Sequence, residues 1–114
     1  MVIARGELWW ADLAPTKGTE QSGRRPVLIV QMDKANSASP HTIIVPLTTK
    51  IRTRQLKSHV AVVAGDGGST QDGVILCEQI RVIDKQRLQS RLGLLSDTRM
   101  SEVDVALKTI LDLS

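Results

Sequence analysis

The sequence predicts a mainly β fold: a compact sheet, closed or nearly closed, with accessory helical segments and a C-terminal α-helix. Three observations carry this reading. Short runs rich in branched aliphatic residues recur along the chain, turn-forming residues separate them, and the apolar spacing becomes helical after Ile83. With 114 residues and 41% hydrophobic content, residues 1–114 suit a single domain and leave little room for two.

The first run, GELWWADL, reads as a strand, so its adjacent tryptophans face opposite sides. One of Trp9 and Trp10 can enter the core while the other reaches the surface. The connector PTKGTEQSGRRP leads to PVLIV, and KANSASPH leads to TIIVPLT. Both connectors are rich in residues whose backbone angles and local hydrogen bonds favour turns. Pro46 interrupts TIIVPLT and cannot donate to a ladder, which makes that run an edge strand or one bent by a bulge. HVAVV and VILCEQIRVI follow, joined by AGDGGSTQDG, which reads as a hairpin turn. Beyond Ile83, DKQRL resembles a short helical turn. Met100, Val103, Leu107, Ile110 and Leu111 fall on one helical face, with Ser96 as N-cap and Asp97 in the first turn.

Composition narrows the function classes. No apolar stretch approaches the roughly 18 residues needed to cross a bilayer, and the lone Cys77 cannot form an internal disulfide, which fits a reducing compartment such as the cytoplasm. Net charge is +3, with nine Lys/Arg against four Asp/Glu in residues 1–60 and six against eight thereafter, or +5 and −2. Such a balance favours a polyanion, although ordinary soluble domains reach it too. His41 and His59 have 17 residues between them and the one cysteine lies elsewhere, so neither a zinc site nor any other metal is expected. The Gly-rich connectors lack the Gly-Lys-Ser/Thr ending of a phosphate loop.

Polar residues at strand ends are the candidates for chemistry. Glu20 and Arg25 flank the second run, Thr48 closes the third, and Glu78 and Gln79 interrupt the fifth on opposite strand faces. Arg25 offers a fork of donors suited to phosphate oxygens, and Thr48 can add a hydroxyl. Arg24 and Arg25 read equally as solvated surface charges. The segment TTKIRTRQLKSH supplies Lys50, Arg52, Arg54 and Lys57 with no acid, which suits a basic arm tracking a nucleic-acid backbone or a plain solvated loop. His59 can act as acid or base near neutral pH, or be a satisfied structural histidine.

Taken together, RGELWWADLAPTKGTEQSGRRPVLIVQMD, IIVPLTT, VILCEQIRVIDKQRL and LSDTRMSEVDVALKTILDL resemble the MazF/PemK family of bacterial toxin endoribonucleases, from about Arg5 to Leu113. The resemblance implies an SH3-like small β-barrel with accessory helices, forming a homodimer whose groove takes single-stranded RNA. It implies cleavage without metal or other cofactor, with Arg25 and Thr48 at the catalytic positions and Glu20, Gln21, Leu56, His59, Glu78 and Gln79 lining the groove. It further implies an antitoxin whose flexible acidic segment blocks that groove. Some relatives use an arginine two residues before the position of Glu78; this chain has Leu76 there. Two other readings share the architecture: a poison of DNA gyrase like the CcdB toxins, and a non-catalytic SH3-like RNA-binding module.

Overall fold

The aliphatic runs form strands, as their β-branched composition dictates, and the connectors turn between them. A computed structural model describes residues 1–15, 17–18, 20, 23–50 and 56–114. The order is β1 (Glu7–Asp12), β2 (Arg24–Ile29), α1 (Asp33–Ala38), β3 (His41–Thr48), β4 (His59–Val62), β5 (Gly73–Leu76), β6 (Arg81–Asp84), β7 (Leu88–Leu94) and α2 (Asp97–Ile110). The sheet runs β4-β5-β3-β2-β1-β7, with β6 also on β3. Among the described residues no helix is long and apolar enough to cross a membrane.

This is an SH3-like curled sheet that stops short of full closure. Among the described residues β4 and β7, at the two ends of the path, do not pair. A 3-10 turn at Asp66–Gly68 instead lies against β7. The approach is backbone to backbone: a Cβ on Gly93 would stand 2.6 Å from the Gly67 carbonyl oxygen, and one on Gly68 would collide with that of Leu92.

Both sheet faces are covered, which explains why the strands read as continuous aliphatic runs rather than alternating ones. Leu8, Leu28, Val45 and Leu47 join a cluster on one face with Met100, Val103 and Ala106 of α2. Trp9, Ala11, Val27, Ile29, Ile44 and Ile83 form the other. Burying one such side chain contributes about 1.5–3 kcal/mol. Helix α2 begins as its sequence predicts, with Ser96 Oγ accepting from the Arg99 amide at 3.2 Å. Its expected apolar face is buried only in part, because Ile110 and Leu111 extend past the sheet and remain 45% exposed.

Four sequence expectations change. KANSASPH is not all connector: Asp33–Ala38 is a helix. The buried Asn36 holds it, donating to the Gln31 carbonyl at 2.9 Å and accepting from the Thr42 hydroxyl at 2.8 Å. Strand β7 occupies a stretch where only helical spacing was expected. VILCEQIRVI is not one strand, because a 3-10 turn at Cys77–Gln79 divides it. Glu78 and Gln79 therefore sit on a turn and not on opposite strand faces.

Pro46 is the fourth, since β3 is central and not an edge. Three steps along β3, from Ile44 to Leu47, correspond to six along its partner, from Arg81 to Ile75. Three residues are left over, and the turn Cys77–Gln79 accommodates them. The irregularity thus lies in the partner chain, opposite a proline that has no N–H to offer it.

Candidate active site

The neighbouring arginines of β2 are separated by strand geometry, which sends successive side chains to opposite faces. In the antiparallel β2–β3 register Val27 pairs with Pro46. Continued two residues to the strand ends, that register sets Arg25 opposite Thr48, on the same face as Pro46 and Ile44. Arg25 is half-buried, and burial lowers the pKa of its guanidinium below the ordinary arginine value. Thr48 is 3% exposed, and its Oγ1 accepts from the Lys50 amide at 3.2 Å. That bond uses a lone pair and leaves the hydroxyl proton available to an incoming acceptor.

Arg24, on the other face, is engaged structurally. Its Nε donates to Gln89 Oε1 at 2.7 Å, and its guanidinium lies 4.2 Å from the Trp10 ring centroid. Trp10 and both arginines line a cleft of about 220 Å³ with Leu47, Thr49 and Gln71.

A second cleft, of about 230 Å³, brings together Glu20, Glu78 and Gln79 against Pro46, Ile80 and Arg81. Glu78 is fixed on both oxygens: Oε1 accepts from Ser58 Oγ and Oε2 from His59 Nε2, each at 3.0 Å. The Leu56 amide donates to His59 Nδ1 at 3.1 Å, so the hydrogen-bond pattern assigns the neutral ring its proton on Nε2, facing Glu78. His59 has a side chain only 3% exposed, and its ring holds the Glu78 carboxylate through the Nε2 bond. Leu56 stays 48% exposed.

The structure thus gathers Glu20, Glu78 and Gln79, and ties His59 and Leu56 to them through hydrogen bonds. Gln21 lies outside the described residues, as do Arg52 and Arg54 of the basic segment. A further concavity, about 430 Å³ between β4 and α2, includes His59 but neither Arg25 nor Thr48. Two contributors were missed in the sequence. Ser58 carries no signal of its own, whereas Arg81, two residues after Gln79, is a cation inside an aliphatic run. Among the described residues no three His, Cys, Asp or Glu are grouped to hold a metal ion.

Comparison with known proteins gives the family. Residues 4–111 match the family described as PemK-like, MazF-like toxin of type II toxin-antitoxin system. The chain is 45% identical over 113 residues to endoribonuclease EndoA of Bacillus subtilis strain 168, covering 99% of this chain and 97% of that protein. Crystalline MazF from Deinococcus radiodurans superposes with a TM-score of 0.84 at 27% identity, covering 99% of each chain. A mycobacterial endoribonuclease solved with its cognate antitoxin gives 0.82 at 27% identity, over 98% of this chain and 97% of that one. A match this long, on a fold with the same architecture, identifies the chain as a member of the PemK-like, MazF-like toxins of type II toxin-antitoxin systems.

Proposed function

We propose that this toxin is a sequence-specific endoribonuclease that cuts single-stranded messenger RNA in the cytoplasm, without a metal, and so arrests translation and growth. The observation that supports this most is the register that sets Arg25 opposite Thr48, on the sheet face that also carries Pro46 of the Glu20–Gln79 cleft. In this reading residues 1–114 form one toxin domain and act as a homodimer. A cognate antitoxin with a flexible acidic segment covers the groove and gains order on binding.

The reaction uses the substrate's own nucleophile. The 2′-oxygen forms a bond to the adjacent phosphorus, the bond from phosphorus to the 5′-oxygen breaks, and the products carry a 2′,3′-cyclic phosphate and a 5′-hydroxyl. A cyclic end that then takes up water becomes a 3′-phosphate. Arg25 stabilises charge on the phosphorane and supplies a proton to the departing 5′-oxygen, while Thr48 donates to a non-bridging oxygen. Arginine holds its proton far above neutral pH, so the 2′-hydroxyl proton goes to another acceptor, and Glu20 is the carboxylate we would test first. Glu20, Gln21, Leu56, His59, Glu78 and Gln79 form or support the base-reading wall.

The test is digestion of a long mixed-sequence RNA in EDTA by wild type, Arg25→Ala and Thr48→Ala, with the new ends mapped. Wild type should cut at a short recurrent motif and leave 5′-hydroxyl ends. Each variant should fold and lose activity by about 10²-fold or more. Intact RNA with the wild type, or equal cutting by the variants, overturns the reading. Binding without cutting would then indicate a passive RNA-binding module, and trapping of gyrase on DNA a gyrase poison.

A further inference from the structure

We propose that Arg81 reads one nucleobase of the bound RNA, donating from its guanidinium to a carbonyl or ring-nitrogen acceptor on the base edge; this rests on the RNA-cutting reading above. Three features of the fold lead to Arg81. It pairs with Ile44 across β6 and β3, so it shares the sheet face of Ile44, Pro46, Thr48 and Arg25. It lines the cleft of Glu20, Glu78 and Gln79. Its Nη1 is buried with no hydrogen-bond partner among the described residues, an arrangement that is destabilising for a charged donor until an acceptor arrives.

The fold also withholds the obvious neutralising partner. Glu78 is only three residues away, but Ser58 and His59 occupy its two oxygens. Among the described residues Arg81 forms no ion pair with it, and its Nη1 is left for a ligand.

The chemistry of the cleft selects what that ligand is. Carboxylates at Glu20 and Glu78 repel a phosphate, whereas Glu20, whose carboxylate is not tied up among the described residues as that of Glu78 is, can accept from the amino and imino donors of a base. Pro46 and Ile80 give the cleft apolar surface against which a flat ring can pack. A base presents donors and acceptors together, and in single-stranded RNA both its edges are open to the protein. Arginine meets base acceptors with a planar fork, a geometry that lysine cannot reproduce.

The experiment selects bound sequences from a randomised single-stranded RNA pool carrying 2′-fluoro groups, which remove the nucleophile so that binding is read without cleavage. Wild type, Arg81→Gln and Arg81→Lys are compared for base preference at each position, with thermal unfolding run on all three. The expected result is a wild-type preference of at least about tenfold at one position that falls to near one in both variants, the other positions being kept. An unchanged profile in whichever variant folds overturns the proposal. So does a uniform loss for every sequence with a shallower salt dependence, the mark of a phosphate contact. Wild type that binds selectively but cuts no RNA defeats the nuclease reading alone, and the Arg81 proposal is still judged on the profiles. Wild type that binds no RNA defeats both.

Discussion

Arg24 and Arg25 show how little residue type settles by itself. They are adjacent and chemically identical, yet one stacks on Trp10 and bonds Gln89 while the other stands half-buried opposite Thr48. The sequence allowed either arginine to be surface charge, and the alternation of the strand separates them. Cys77 makes the complementary point. Burial, reinforced by the charge of neighbouring Glu78, pushes its thiol pKa up to about 12. At pH 8 the thiolate fraction is then on the order of one in ten thousand. The folded protein should leave a colorimetric disulfide reagent unreacted over minutes at pH 8, and should react stoichiometrically once unfolded in guanidinium. Rapid reaction of the native protein would show that Cys77 is exposed.

Elements were legible where the pattern was local. The aliphatic runs, the hairpin turn after β4 and the N-cap of α2 are all set by neighbours in sequence. Helix α1 escaped because its Asn and Ser residues disfavour helix in isolation, and the bonds from Asn36 to Gln31 and Thr42 reverse that preference only in the folded chain. Strand β7 escaped because its ladder with β1 is irregular, with shifts on either side of Trp9 and Trp10, and most of its residues are not buried. The turn at Asp66–Gly68 substitutes for a closing strand pair. Gly68 there has φ +82° and lies against the Leu92 carbonyl, so Gly68→Ala combines backbone strain with a collision. It should lower unfolding free energy by about 3 kcal/mol or more in urea titration. A loss under about 1 kcal/mol would mean that this contact contributes little to closure.

At the scale of the molecule, polar ties link the first strand and the residues just before it to elements far along the chain. Arg91 of β7 donates to Glu7 of β1 at 2.7 Å, and Arg5 pairs with Asp104 of α2 at 2.5 Å. Burial acts to raise the Glu7 carboxyl, but bonds from Trp9, the Ala4 amide and Arg91 outweigh it and hold the pKa below the ordinary 4.5. A depressed carboxylate contributes stability that is present above its unfolded value, near 4.5, and is lost as pH falls through the lower folded value. Glu7→Gln should therefore cost about 1–3 kcal/mol at pH 7, with the difference from wild type shrinking steadily below pH 4.5. Urea titrations at pH 7 and pH 3 check this, and a constant difference would exclude Glu7 as the group responsible.

The sequence by itself determined the secondary-structure type of most runs, the starting signal of α2 and, through several ordered motifs, the family. These are properties of composition, local spacing and order, so a linear chain carries them in full. Only the tertiary structure decided which of two arginines shares the sheet face of Thr48 and which stacks on a tryptophan. It also decided that Glu78 is held by Ser58 and His59 and that Arg81 Nη1 is buried without a hydrogen-bond partner among the described residues. Those outcomes depend on strand register and on the three-residue excursion at Cys77–Gln79, which bring together positions tens of residues apart. A shift of one residue would exchange every face, and no local property of the chain sets that register.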